Sequence, residues 1–203
     1  MSDSRPFIVT PGEPAGIGAE IAIKSWCAGQ RDICVIEAPD RMAEIAATLG
    51  TPIAIKTITH PDQLNADQDA LHIMPIDWPV PPIAGSPDSR NGQVVVDAIT
   101  TAAKFCRSGA ASGMVTNPIQ KSSLYDAGFG YPGHTEFLAS LGHVDAGGPM
   151  MMLACDDLKV VPLTIHIPIS AVAGSLSQDI IIDAGHLLDA SLKRYFAMTA
   201  PRI

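Results

Sequence analysis

The chain has no cluster of Lys or Arg, no apolar run reaching eighteen residues, and no cysteine pair at zinc-knuckle spacing. Nucleic acid and anionic membrane surfaces both require local positive potential, whereas the formal charge here is −8, from 13 Lys+Arg against 21 Asp+Glu. Neither partner is expected. With no long apolar stretch, and no cationic leader ahead of an apolar segment in MSDSRPFIVTPGEP, a membrane span and a signal peptide are excluded, and a cytoplasmic address follows. The four cysteines, Cys27, Cys34, Cys106 and Cys155, are widely spaced, so we read them as reduced and mostly buried thiols. Aromatic residues are scarce at 5 %, yet 47 % of the 203 residues are hydrophobic and the mean hydropathy is +0.22, enough for one sizeable core.

The pattern along the chain alternates strands and helices. Residues 7–10 form a β-branched and aromatic run ending at Pro11-Gly12, and residues 17–27 carry apolar side chains at helical spacing. Residues 33–36 read as a strand, 40–49 as a helix closed by Gly50, and 53–56 as another strand. The proline-rich stretch 75–92 reads as a long irregular loop, followed by a helix over 94–107 stopped by Gly109, a strand over 114–116, and a loop-rich stretch from 117 to 134. Two apolar runs, 150–154 and 160–164, suggest a hairpin, and 178–196 is the longest helix. This alternation predicts an α/β fold whose sheet is covered on both faces. After the last helix, Pro201-Arg202-Ile203 looks like the start of a further strand, so we expect a chain truncated relative to its fold, with apolar surface exposed near its end.

Candidate chemistry collects in the loops. The stretch from Thr10 to Gly18 lies between a strand and a helix and is either an anion-facing loop or a purely structural tight turn; its glycine spacing lacks the third glycine of a dinucleotide fingerprint. Lys121 follows a strand end, where it is either a point charge for a carboxylate or phosphate or a solvated helix-starting lysine. Thr135 is placed to cap a helix, with His134 just outside it on the same rim. His166 sits at the end of an apolar strand, just before a bend at Pro168, a suitable place for a divalent metal, although one imidazole does not make a site. His60, His72, His143 and His186 share no ligand spacing, and no GxSxG, Walker, HExxH or Cys–His motif is present.

Four of these segments, in this order, closely resemble the 4-hydroxythreonine-4-phosphate dehydrogenase family of vitamin B6 biosynthesis: Thr10 to Gly18, Gly133-His134-Thr135-Glu136-Phe137, Met151-Met152-Leu153-Ala154, and Thr164-x-His166-x-Pro168. The resemblance runs from the first strand to Ile203. It implies an isopropylmalate/isocitrate dehydrogenase-like α/β/α sandwich, incomplete at its C-terminal end, in a homodimer with the active site at the subunit interface. Residues 1–203 would form a single α/β region equivalent to the N-terminal part of that fold, without the nicotinamide-binding part. The implied reaction is oxidation of 4-phosphooxy-threonine by NAD (or NADP), with loss of CO₂, to 3-amino-2-oxopropyl phosphate. The implied site assigns His134, Thr135 and Lys121 to the substrate and His166 to a divalent metal (zinc, magnesium or cobalt), which would lower the pKa of the substrate hydroxyl and stabilise the enolate. The wording Asn117-Pro118-Ile119-Gln120 ahead of Lys121 is not the family's most usual, and two of three metal ligands have no counterpart in this chain. Two alternatives remain open, a related dehydrogenase of a phosphorylated sugar acid or dihydrodiol, and a non-catalytic remnant.

Overall fold

Two β-branched runs start the sheet. In the computed structural model, which describes residues 5–64, 69–142 and 149–203, they form β1 (Phe7–Thr10) and β2 (Ile33–Glu37), paired in parallel with Ile8 opposite Cys34 and Val9 opposite Val35. Successive side chains leave a strand on opposite faces, and the core divides accordingly. Val9, Ile33 and Val35 pack with Ala22, Ile23 and Trp26 of α1 (Gly18–Cys27) and with Met42 and Ala46 of α2 (Pro39–Thr48). Ile8, Cys34 and Ile36 face the other way, onto Ala98 and Ala102 of α3 (Gly92–Ser108). The sheet is therefore covered on both sides.

Three further parallel strands, β3 (Ala54–Thr57), β4 (Ala70–Pro75) and β5 (Gly113–Thr116), complete the order β3-β4-β2-β1-β5. Strand β4, which the sequence reading missed, stands between β2 and β3. Its residues 70–74 are all buried, so it lacks the alternation that marks a half-exposed strand. Neighbours of β1 reverse direction in chain order, β2 on one side and β5 on the other. That reversal makes the carboxyl ends of β1 and β5 a topological switch point. The loop expected over 117–134 contains a short helix, α4 (Lys121–Asp126).

The chain divides into two units, residues 1–131, described above, and residues 132–203. The second holds α5 (His134–Gly142), a two-stranded antiparallel pair of β6 (Leu153–Ala154) with β7 (Lys159–Val160), α6 (Ile169–Ser175) and α7 (Gln178–Phe196). The hairpin is thus real but only two residues long on each side, because the remaining apolar residues of 150–154 and 160–164 find no ladder partner among the described residues. Ser177 caps α7 by accepting from the Ile180 amide, and Lys193 and Arg194 sit in its last turn, where they complement the helix dipole. Large apolar side chains stand exposed in this unit, among them Leu153, Ile181, Tyr195, Ile203 and, at 91 %, Ile169.

The thiols differ from expectation. Cys34 alone is buried, with burial pushing its pKa up to about 12, while Cys106 is half-buried and Cys27 and Cys155 are exposed, at the end of α1 and in the β6–β7 turn. Among the described residues, no helix is long and apolar enough to cross a membrane.

Candidate functional site

At the switch point the loop after β1 is locked to the loop after β5. Asn117, 5 % exposed, donates from Nδ2 to the Thr10 carbonyl at 2.9 Å and to the Gly18 carbonyl at 3.3 Å, and the Glu13 amide donates to the Pro118 carbonyl at 2.8 Å. Gly12 has φ +69°, and a Cβ there would lie 2.5 Å from the Pro118 oxygen and 2.8 Å from the Asn117 Cβ. A Cβ on Gly18 would collide with the Pro11 oxygen. Both glycines are therefore required for close approach of two backbones, as the tight-turn reading of this loop expects. The Thr10 hydroxyl, wholly buried beneath this lock, has no hydrogen-bond partner among the described residues.

A second set of interactions ties the same loop to its other neighbour. Glu37 ends β2 at 1 % exposure and accepts hydrogen bonds from the Ala38 amide (2.8 Å), Arg41 Nη1 (2.7 Å) and Trp78 Nε1 (2.6 Å). Arg41 also donates from Nη2 to the Pro14 carbonyl, and the Gly85 amide donates to the Ala15 carbonyl at 2.8 Å. Burial pushes the Glu37 carboxyl up, and the Arg41 guanidinium opposes that shift. In the loop 76–91, which carries Trp78 and Gly85, the buried Asn91 side chain clamps the backbone of Val80 by donating from Nδ2 to its carbonyl and accepting its amide at Oδ1. None of this was visible in sequence, apart from the i,i+4 spacing of Glu37 and Arg41, which fits a helical salt bridge at the start of α2.

The candidate ligand-binding residues lie in both units. Lys121, in the first, is the exposed first residue of α4. In the second, His134 and Thr135 open α5, so His134 lies inside the helix and Thr135 is not its cap; the boundary falls two residues earlier than a Thr135 cap would place it. His134 Nε2 is enclosed and has no hydrogen-bond partner among the described residues. Thr135 lines a cleft of about 370 Å³ with Glu136, Met150, Leu163, Ile180 and Asp183. His166 is not at a strand end: β7 stops at Val160, and His166 stands exposed in a bend with φ 58°. Histidine visits this left-handed region more readily than most side chains, and such residues cluster at functional positions.

These residues do not by themselves fit a divalent metal. Among the described residues no group of three or more His, Cys, Asp and Glu could hold an ion, and His166 supplies a single imidazole.

Desolvation lowers the His134 pKa below its ordinary 6.5, so the folded chain resists the proton that the unfolded chain accepts. Stability is then fully present above pH 6.5 and declines as the pH falls below it. Urea unfolding midpoints followed down through this window should drop for the wild type and drop less for His134→Gln. Equal slopes for the two proteins would remove the imidazole from that role.

Parallel strands flanked by helices on both faces, with polar loops gathered at the strands' carboxyl ends, define an α/β protein of the kind that carries ligand chemistry on those loops. The family model "Pyridoxal phosphate biosynthetic protein PdxA" matches residues 29–203, and the chain belongs to that family. It is 38 % identical over 211 aligned residues to a 4-hydroxythreonine-4-phosphate dehydrogenase of Methylorubrum extorquens, covering all of this chain and 60 % of the relative. A Caulobacter vibrioides protein of the same name is 36 % identical, with 98 % and 61 % covered. The crystal structure of 4-hydroxythreonine-4-phosphate dehydrogenase from Klebsiella pneumoniae superposes with a TM-score of 0.87 at 30 % identity, covering 98 % of this chain and 62 % of that one. The chain thus spans about 60 % of the length of the curated relatives it matches.

Proposed function

We propose that this chain carries substrate-recognition residues of an NAD-dependent (or NADP-dependent) 4-hydroxythreonine-4-phosphate dehydrogenase, the enzyme that oxidises 4-phosphooxy-threonine and releases CO₂ to give 3-amino-2-oxopropyl phosphate. In this reading residues 1–203 form the N-terminal α/β part of an isopropylmalate/isocitrate dehydrogenase-like α/β/α sandwich, in a cytoplasmic homodimer, and the nicotinamide is bound by sequence with no counterpart here. Membership of the family and the names of its relatives support the activity. The observation that carries the reading to particular residues is the enclosed, unpartnered Nε2 of His134 within Gly133-His134-Thr135-Glu136-Phe137. A buried polar atom without a partner is costly, and a bound substrate oxygen would satisfy it.

The residues divide the work by chemistry. Lys121 presents a compact positive charge suited to the phosphate or carboxylate of the substrate. The imidazole of His134, kept neutral near pH 7 by its burial, can donate one hydrogen bond to a substrate oxygen without adding charge. The Thr135 hydroxyl can both donate and accept at the adjacent position. His166 would supply one imidazole to the divalent metal, whose other ligands have no counterpart among the described residues.

Isothermal titration of the 203-residue chain with 4-phosphooxy-threonine tests this. We expect binding that His134→Ala and Lys121→Ala each weaken by roughly tenfold or more, as for a lost hydrogen bond to a charged partner. Affinity unchanged in both variants would overturn the assignment.

A further inference from the structure

Lys121 is held in place by its neighbours in the chain. Three residues ahead of it, Pro118 has its carbonyl fixed by the Glu13 amide, and four ahead, Asn117 is bonded through Nδ2 to the carbonyls of Thr10 and Gly18. Two and three residues beyond it, Ser123 and Leu124 are buried, and Ala127 packs where a Cβ on Gly92 would fall. Between these anchors run only Ile119, Gln120, Lys121 itself and Ser122, and the Gln120 side chain does not cap α4. We propose that Asn117 is a positioning residue: its amide fixes the origin of the short span that presents Lys121, and so sets the affinity of that ammonium for the anionic end of the substrate. This rests on the reading of Lys121 as a substrate lysine.

The argument is geometric. An asparagine amide carries two N–H donors on one nitrogen, and here that nitrogen meets two carbonyls belonging to opposite ends of the Gly-Pro loop. Because Gly12 and Gly18 have no Cβ, the loop closes directly on the Asn117 side chain, and both backbones approach it closely. An exposed lysine on a six-residue helix has few contacts of its own to hold it. Its location is inherited from the buried amide. A serine or alanine at 117 keeps the chain path but releases one or both ties.

The test uses the whole 203-residue chain, with inorganic phosphate as the probe, followed by the amide signal of Lys121 in NMR titrations, alongside hydrogen exchange of the α4 amides. Asn117→Ala should weaken phosphate binding by roughly three- to tenfold, the range expected for one or two lost neutral hydrogen bonds. It should also accelerate exchange at Leu124 and Ala127 while β1 and β2 amides keep their protection. Asn117→Ser, which retains one donor, should fall between and serves in place of the alanine variant if that variant does not fold. A role confined to stability would lower the unfolding midpoint but leave phosphate affinity of the folded protein unmoved. Lys121→Ala should abolish the phosphate response without changing α4 exchange. If Lys121→Ala binds phosphate as the wild type does, the substrate reading of Lys121 fails and this proposal with it. If Lys121→Ala loses binding but the Asn117 variants retain full affinity, the substrate reading stands and the positioning role is overturned.

Discussion

Replacing Arg41 by alanine is expected to lower the unfolding free energy by about 3–5 kcal/mol at neutral pH, the usual penalty for leaving one charge of a buried pair alone. Glu37 is almost wholly enclosed, and Arg41 supplies its only counter-charge among the hydrogen bonds it accepts. The carboxylate has one escape, which is to take up a proton. A folded-state pKa above the ordinary 4.5 means that the native chain holds a proton the unfolded chain has released, so stability falls as pH rises from 4.5 towards the raised value. Removing Arg41 raises that value further, and the variant should therefore be closest to wild type in acid and weakest in mild alkali. Urea unfolding at several pH values measures this directly. Adding Glu37→Gln to Arg41→Ala should recover most of the loss, since a neutral amide of the same shape can still accept from Trp78. A double variant no more stable than Arg41→Ala alone would show that the guanidinium acts through its bond to the Pro14 carbonyl instead.

Gly12→Ala is the second large effect. An alanine at φ +69° carries about 1–2 kcal/mol of left-handed backbone cost, and its Cβ would meet the Pro118 oxygen at 2.5 Å. Backbone cannot rotate aside as a side chain can, so overpacking adds about 1–3 kcal/mol. Gly50 provides the internal control. Its φ of +68° is the same, yet nothing lies within 4 Å of a Cβ there. The expected outcome is a loss of about 1–2 kcal/mol for Gly50→Ala and roughly twice that or more for Gly12→Ala, measured by thermal or urea unfolding. Equal losses would mean that the loops after β1 and β5 are not in the contact described.

The elements that were legible in sequence are those with a period. Val9, Ile33 and Val35 alternate with Ile8, Cys34 and Ile36, and the two sets became the two faces of the core. Strand β4 was hidden because Ala70-Leu71-His72-Ile73-Met74 is buried on both sides and so has no alternation to detect. The runs at 150–154 and 160–164 did give the expected hairpin, but its ladder is short, Leu153–Ala154 against Lys159–Val160, since apolar composition sets burial rather than the length of a pairing. For the candidate site, Lys121, His134, Thr135 and His166 were named from strand ends and from family resemblance. The residues that hold the loops were not, because Asn117 reaches a carbonyl 107 positions away and Trp78 a carboxylate 41 positions away. Single-sequence patterns report nearest neighbours, whereas loop geometry in a parallel sheet is set by distant ones.

The placement of β4 bears on synthesis. Strand β3 pairs with β4 alone within the sheet, and β2 gains its second neighbour only from β4. As the polypeptide emerges from the ribosome, the outer edge of β2 stays unpaired for roughly a few seconds, until residues 70–75 have been made. During that interval a translating chain offers a bare hydrogen-bonding edge beside strongly apolar side chains, the kind of surface that chaperones shield and that other nascent copies can join. Ribosomes stalled after β2 has cleared the exit tunnel but before residues 70–75 have followed it should accordingly yield aggregation-prone intermediates of this protein.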